Sequence, residues 1–512
     1  MELFEGILVL MVAAVVLLQV SRRFSLPYPS LLALAGIGVA AIPFLPNIVL
    51  EPELALAVFV TPALFDAAYD TAPRDLKKHW VPLAILAVAA VIITTVAVGV
   101  VGHTMAGLGW AAAMTLGAIV SPPDASAVSA VLSRFPLPRR TLLILEGESL
   151  LNDATALLLF GTAQAVALHG ASTPGKIIGP LLLAIPGGAI LGYVLGKLYL
   201  MVAKWTAGSL SASIAEIAVT FGAWILGEKL HVSPILAVVV LAMTIAKGAP
   251  KQEPPRDRVH STALWGSITF ILGAIAFLLL GMQVLDAAKH LSGVSLKQAV
   301  IFGAAVTLTT VVTRIAWVFL YRVFADRLDK SGLPQPPVGV TFLTSWCGIR
   351  GILTIATASA LPYEFPGRSM IVFAAFSVVL GTLVVQGFTI GPLVKLLKIE
   401  PDESLKEESN KAREELLEVG VNCLRERTDS AAKSVRRELE IALKEAARLD
   451  FSAQSSGMDT VRSMVVCTQR ERLIALRDDG EIEEDVFQLL EEELDWAALA
   501  AAPSEDLALE EV

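Results

Sequence analysis

Acidic, amide and hydroxyl side chains interrupt one of the most apolar stretches of this chain. The segment LEGESLLNDATALLLF, residues 145–160, carries Glu148, Ser149, Asn152 and Asp153. Glu148 and Asn152 are four residues apart, as are Ser149 and Asp153, so a helix would present them on two neighbouring faces. At about 1.5 Å per residue, Asp153 lies about twelve residues, or about 18 Å, past the cytoplasmic end of the predicted span 140–168, close to the middle of a bilayer. A carboxylate at that depth is costly unless it is paired or hydrated, so the pattern indicates a function.

A second acid follows two prolines in GAIVSPPDASAV, residues 117–128. Proline lacks a backbone donor and restricts the residue before it, so the helix should open near Ser121 and leave carbonyl groups free. Asp124 lies at this break. Irregular backbone at membrane depth is typical of ion sites in transporters, which favours a ligand role for Asp124. The alternative is a proline kink in which the carboxylate only caps the next half-helix.

A second break is predicted in SWCGIRGILTIA, residues 345–356, where two glycines flank Arg350. Two interrupted helices in corresponding parts of a chain are typical of transporters built from inverted repeats. Arg350 could neutralise the dipoles at the carboxyl ends of the half-helices where they cross.

Three other charged residues lie inside apolar segments. Arg314 is deep in LTTVVTRIAWVF, and its best candidate partner is Glu148, because a paired Glu and Arg would hold two helices together without titrating. Asp66, in TPALFDAAYD, is a further buried acid. Glu216 has no evident partner, and both a cavity and a dimer face would accommodate it.

Carboxylate, hydroxyl and carbonyl oxygens together suit a hard cation. A buried carboxylate with acidic neighbours can also release its proton near physiological pH. One site of this composition can therefore bind either a cation or a proton, which is the chemistry of an exchanger.

The elements that position these residues are predicted to be membrane-spanning helices. Of the 512 residues, 55% are hydrophobic and 17% are charged, and the mean hydropathy is +0.66. Apolar runs near the ~20 residues that cross a bilayer recur as far as about Leu397. The predicted spans are 3–20, 29–46, 52–70, 80–103, 109–133, 140–168, 176–204, 211–229, 233–247, 260–286, 298–325, 338–361 and 369–397. The fold class is therefore an all-α membrane protein of about thirteen transmembrane helices, with inverted repeats and two interrupted, crossing helices.

Charge separates the chain into two bodies. Residues 401–512 have a net charge of −15, whereas residues 1–400 have a net charge of +6. Lysines and arginines are concentrated in one set of loops, which places the N-terminus outside and the C-terminal tail in the cytoplasm. The acidic tail is predicted to be helical, and it either stabilises a dimer or regulates the protein. Its charge argues against nucleic acid as a partner.

The three motifs SPPDASAV, LEGESLLNDATAL and WCGIRG, in this order, closely resemble the monovalent cation:proton antiporter family. Within it, they are similar to the NhaP-type sodium/proton antiporters, which are related to the eukaryotic sodium/proton exchangers. The resemblance covers about residues 1–400.

The resemblance implies a role for each motif residue. Asp153 would carry the cation or the proton, with Asn152 beside it, and sodium would bind at Asp153, Asp124 and Ser149. The remaining expectations are a carbonyl ligand from Pro123, an outer ligand at Asp66, a structural ion pair between Glu148 and Arg314, and a helix-crossing charge at Arg350.

The resemblance also implies the activity, which is electroneutral exchange of one sodium or lithium ion for one proton, without a cofactor. A homodimer in the cell's inner membrane is expected, in which spans 4–6 and 11–13 form a core that moves like an elevator against a scaffold of spans 1–3 and 7–10. A potassium/proton antiporter remains an alternative. A channel or receptor regulated by the tail is a second alternative. The buried acids argue against it, because a continuous pore needs no single site at which a cation and a proton compete. The sequence has no phosphate loop or catalytic triad, so we expect no enzyme.

Overall fold

The structure is a computed structural model of the chain. It describes residues 2–24, 27–40, 54, 56–71, 73–124, 127–128, 132, 139–170, 174–289, 291, 295–328, 337–399, 404–446, 457–479, 481 and 484–501. Within these ranges all regular secondary structure is helical and no residue lies in a β-strand. Two compact units are distinguished, one that ends at Glu400 and one that covers Pro401–Glu511.

Fourteen α-helices belong to the first unit as far as the structure describes it. They are α1 (Glu2–Phe24), α2 (Tyr28–Ala40), α3 (Thr61–Asp70, after a π-helical turn at Leu56–Val60), α4 (Pro73–Ala106), α5 (Trp110–Val120), α6 (Arg139–His169), α7 (Pro174–Thr206), α8 (Leu210–Lys229), α9 (Pro234–Gln252), α10 (Pro255–Lys289), α11 (Leu296–Leu328), α12 (Val338–Trp346), α13 (Ile352–Ser359) and α14 (Arg368–Leu397). Eight of them, α4, α6–α11 and α14, contain segments long and apolar enough to cross a membrane.

Local sequence sets several helix boundaries. Pro234 stands in the first turn of α9, and the hydroxyl of Ser233 accepts a hydrogen bond from the amide of Leu236 at 3.3 Å, which is an N-cap. Between α7 and α8, Gly208 has a φ of 75°, a conformation that glycine adopts at little cost. Its amide donates to Asp257 Oδ2 at 2.8 Å, so this turn is tied to the start of α10.

The helices of the first unit pack in two groups. Helices α4–α6 and α11–α14 contact chiefly one another, and we call them the crossing group. Helices α1–α3 and α7–α10 form the second group, with α10 against α2 and α9 against α7 as its most extensive pairs. The backbones of α2 and α10 meet at Gly36 and Gly281, where a Cβ on either glycine would overlap a carbonyl oxygen of the other helix. Glycine therefore permits the closest approach in the second group.

The second unit contains four described helices: α15 (Ser404–Cys423), α16 (Ser430–Ala446), α17 (Gly457–Asp478) and α18 (Glu484–Ala501). Helix α15 packs on α16, and α17 packs on α18. Arg462 pairs with Glu438 and Arg470 pairs with Asp495, in both cases at the surface. Exposed pairs of this kind add little to stability.

Candidate ion-binding site

Two interrupted helices meet in the crossing group. Helix α5 ends at Val120, immediately before the two prolines, and the extended residues 347–351 separate α12 from α13. The amide of Asp124 donates to the carbonyl oxygen of Ile349 at 2.8 Å. This backbone bond joins the two breaks directly, so the irregular segments satisfy part of each other's hydrogen bonding.

The carboxylate of Asp124 accepts hydrogen bonds from two backbone amides. Its Oδ1 accepts from the amide of Ala127 at 3.3 Å, and its Oδ2 accepts from the amide of Ile352, the first residue of α13, at 2.9 Å. A negative charge at a helix N-terminus is stabilised by the unpaired amides and the helix dipole. Asp124 therefore caps α13, from a position 228 residues earlier in the chain.

Arg350 complements the opposite ends of the crossing. Its Nε donates to the carbonyl of Val120 at 2.8 Å and its Nη2 to that of Ser121 at 3.0 Å. Its Nη1 donates to the carbonyl of Gly348. The side chain is 1% exposed, and its positive charge lies where the carboxyl ends of the first halves concentrate negative dipole charge.

Glu148 and Arg314 form a buried, bidentate ion pair. Arg314 Nη1 donates to Glu148 Oε1 at 2.8 Å, and Nη2 donates to Oε2 at 3.2 Å. The two side chains are 1% and 4% exposed. The amide nitrogen of Asn152 also donates to Glu148 Oε1, at 3.3 Å. The pair joins α6 to α11, and Asn152 is part of that polar contact.

Asp153 lies partly buried on α6, within electrostatic range of Asp124. It has no hydrogen bond or ion pair with a described residue. One turn earlier, the hydroxyl of Ser149 donates to the carbonyl oxygen of Pro123 at 3.2 Å. The structure thus brings Asp153, Asp124, Ser149 and Pro123 together between α6 and the break after α5.

Asp66 belongs to the second group of helices. It is half-buried on α3, a helix that packs against α6. The donors assembled at the break are carboxylate, hydroxyl and carbonyl oxygens, which suit a hard cation. Among the described residues no three His, Cys, Asp or Glu side chains are grouped closely enough to hold a metal ion.

One contributor was not predicted from the sequence. The Thr382 hydroxyl accepts a hydrogen bond from the Arg350 amide at 3.0 Å, although Thr382 is directly flanked by apolar residues and glycine in VVLGTLVV. Only the packing of helices far apart in the sequence reveals this contact. Asn152 was predicted beside Asp153, and its Oδ1 is buried without a hydrogen-bond partner among the described atoms.

Comparison with known proteins decides the family. The family model for the transmembrane sodium/hydrogen exchangers matches residues 9–396. The chain belongs to the sodium/hydrogen exchanger family. An exchanger of this family is a multi-pass membrane protein. It is a secondary transporter, which couples the movement of cations to that of protons, rather than a catalytic enzyme.

Named relatives agree with this assignment. The exchanger is 30% identical over 516 residues to an uncharacterised Na(+)/H(+) exchanger of Mycobacterium tuberculosis, with 96% of this chain and 94% of the relative covered. It is 30% identical over 468 residues to a sodium, potassium, lithium and rubidium/H(+) antiporter of Bacillus pumilus, with 86% and 68% covered.

The fold is also shared with a solved antiporter. The structure of the sodium proton antiporter MjNhaP1 of Methanocaldococcus jannaschii superposes with a TM-score of 0.61 at 18% identity. The match covers 78% of this chain and all of that one. This likeness shows that the two chains share an all-α fold.

Proposed function

We propose that this exchanger moves sodium against protons, one for one, with Asp153 as the group that binds either ion. The observation that carries the proposal is the contrast between Asp153 and its neighbours. Glu148 and Asp124 are held by a guanidinium or by backbone amides, whereas Asp153 has no such partner among the described residues. A carboxylate free of a fixed counter-charge can exchange a proton for a cation.

Four further residues complete the proposed site. Ser149 supplies a hydroxyl oxygen and Pro123 a carbonyl oxygen, while Asp124 contributes charge from the break and Asp66 an outer ligand. The residue before Asp153 is the neutral Asn152, so a single acid at this pair binds a single charge. That composition supports electroneutral exchange.

A broader cation range is the second candidate. The relatives of Bacillus pumilus and Bacillus subtilis are both named sodium, potassium, lithium and rubidium/H(+) antiporters. Ligand oxygens of the same kind bind each alkali ion, and differences in spacing decide among them. We therefore place sodium first and potassium as the competing substrate.

The proposed assembly is a homodimer in the cell's inner membrane, with the N-terminus outside and the tail in the cytoplasm. The crossing group would be the moving core of an elevator, and the second group its dimer scaffold. The division of contacts between the two groups supports this assignment.

Proton flux in reconstituted vesicles, measured against each alkali cation in turn, tests the proposal. We expect saturable, obligatorily coupled flux with sodium or lithium, and no change of rate when the membrane potential is clamped. If flux occurred with potassium and not with sodium or lithium, potassium would be the substrate. Uncoupled, non-saturating cation flux would instead identify a channel.

The tail is proposed to lie outside the transport mechanism, because none of the proposed ligands is in residues 401–512. A chain truncated after Ile399 should retain exchange, with a shifted pH dependence if the tail regulates. A truncated protein that is folded and dimeric but inactive at every pH would contradict this division.

A further inference from the structure

A second group of acidic side chains lies away from the helix crossing, among α7–α10. It comprises Tyr199, Glu216, Glu253, Asp257, Ser261 and Trp265, and we call it the Glu216 cluster. The sequence left Glu216 open between a dimer face and a cavity. Glu216 is 3% exposed, and its Oε2 accepts a hydrogen bond from the hydroxyl of Ser261 at 2.6 Å. It therefore belongs to the interior of the second group.

Most of the cluster lines a small cavity of about 10 Å³, which is room for about one water molecule. Its polar lining consists of Tyr199, Ser213, Glu216, Glu253, Asp257 and Ser261. Three of these six are carboxyl groups. An ionised carboxylate in such a space is costly unless an opposite charge or hydrogen bonds compensate it.

Two buried polar atoms at the cluster lack the partners they need. Trp265 is 2% exposed, and its Nε1 faces Glu216 without completing a hydrogen bond to any described atom. Glu253 Oε1 is likewise buried without a hydrogen-bond partner among the described atoms. Glu216 and Glu253 both line the cavity, so a water molecule in it could donate to the unpaired Glu253 oxygen and also contact Glu216.

The titratable groups around Glu216 and Glu253 are predominantly acidic. Tyr69 of α3 and Tyr199 of α7 interact with both carboxyl groups, and Asp257 and Arg258 at the start of α10 interact with Glu253. Arg258 is the cation of this set, and its Nη1 is hydrogen-bonded to the backbone carbonyl of Glu253 at 2.6 Å. Burial is the main cause that raises the pKa of the Glu253 carboxyl, and the nearby charge of Asp257 raises it further.

We propose that Glu216 and Glu253 share one exchangeable proton through a water molecule in this cavity, forming a second proton-binding site separate from the Asp153 centre. Binding converts one carboxylate to a carboxylic acid, and the proton comes from bulk water. The Trp265 N–H that faces Glu216 disfavours a cation at this position, because its positive end points at the carboxyl group. The site does not depend on the proposed transport function.

Infrared difference spectroscopy of the full-length protein, titrated with acid, tests the site through the carbonyl band of a protonated carboxylic acid. Asp153→Asn serves as the background, since it removes the proposed carrier. We expect a titrating band in this background that disappears in Asp153→Asn/Glu216→Gln. It should remain in Asp153→Asn/Glu228→Gln, a matched change on the same helix whose side chain is exposed.

Two variants guard against misfolding as an explanation. Glu216→Asp keeps the acid and should retain a titrating band at an altered frequency, while Glu253→Gln alters a residue beyond the end of α9 and should change the band's pH dependence. Persistence of the full band in Glu216→Gln overturns the proposal. Loss of the band on adding sodium or potassium at constant pH also overturns it, in favour of a cation site.

Transport measurements separate this site from the Asp153 centre. Glu216→Gln alone should still exchange cations for protons if the wild-type protein does so, with a shifted pH profile. A folded Glu216→Gln protein without exchange would place Glu216 in the transport path and overturn the separation. Failure of the wild type to exchange would refute the transport proposal and leave the infrared experiment intact.

Discussion

At the helix crossing, the guanidinium of Arg314 meets the carboxylate of Glu148, and that of Arg350 meets three carbonyl oxygens. In the Glu216 cluster, three carboxyl groups are gathered near the guanidinium of Arg258, which is bound to a backbone carbonyl. Both regions are buried and polar. They differ in how many of their buried charges are balanced by a group of opposite charge or by hydrogen-bond partners. A complemented group keeps its charge and holds helices in place, whereas an uncomplemented acid gains stability by taking up a proton or a cation.

The same distinction holds within the crossing group, where Asp153 differs from the neighbouring acids. Its neighbours Glu148 and Asp124 are fixed by partners, whereas Asp153 has no hydrogen bond or ion pair with a described residue. As the proposed carrier, Asp153 would have a charge that no described group neutralises.

The first and largest expected effect comes from removing this acid. Asp153→Asn should abolish proton-coupled cation flux in vesicles while leaving the protein folded and inserted, since no described partner loses its counter-charge. Asp70→Asn, an exposed acid at the end of α3, is the matched control and should retain exchange. Near wild-type flux in Asp153→Asn would show that Asp153 is not the group that binds the exchanged ions.

The second prediction concerns the complemented pair. Truncating Glu148 or Arg314 alone should lower the free energy of unfolding by about 3–5 kcal/mol, because the remaining charge is left buried and unpaired. The double variant should lose less than the sum of the two. Thermal unfolding in detergent, analysed as a double-mutant cycle, measures the coupling, and strict additivity would show that the charges act independently.

A smaller effect is expected from crowding the Asp124 caps. A Cβ on Gly351 would overlap Oδ2 of Asp124, so Gly351→Ala should displace the carboxylate from the α13 amide and destabilise the fold by about 1–3 kcal/mol. Gly222→Ala, where an added Cβ meets nothing within 4 Å, is the control. Equal unfolding temperatures for the two variants would indicate that the crossing tolerates a displaced cap.

The smallest effect is expected at the uncomplemented cluster. Burial raises the pKa of Glu253 above its ordinary value of 4.5, so the folded state binds this proton more tightly than the unfolded state. The resulting stabilisation is present at low pH and is lost as the pH rises from about 4.5 through the raised pKa. Glu253→Gln should therefore flatten the dependence of the unfolding temperature on pH in this range. An unchanged dependence would indicate that Glu253 is ionised in the folded protein.

The sequence was sufficient for features that depend on local chemistry. Prolines 122 and 123 and the glycines around Arg350 identify the positions where α5 and α12 end. A deeply buried arginine needs an acidic partner, and this need predicted that Arg314 pairs with Glu148. In the structure, Arg314 Nη1 lies 2.8 Å from Glu148 Oε1.

Other features depend on how distant helices are aligned, which a single sequence does not encode in any readable pattern. The contact of Asp124 with the Ile352 amide and that of Ser261 with Glu216 each require a particular register between two packed helices. The sequence offered both a ligand and a cap as roles for Asp124, and the structure shows capping bonds without excluding a ligand role. For Glu216, only the fold distinguished a cavity from a surface.

The contacts of Arg350 at the crossing have a consequence for the order of assembly. The carbonyls of Val120 and Ser121 are paired with a guanidinium that is synthesised about 230 residues later. During synthesis, the first interrupted helix is therefore made before the group that satisfies its carboxyl end exists. The crossing can form only after Arg350 has been synthesised, so its formation is a late step in the assembly of the transmembrane unit.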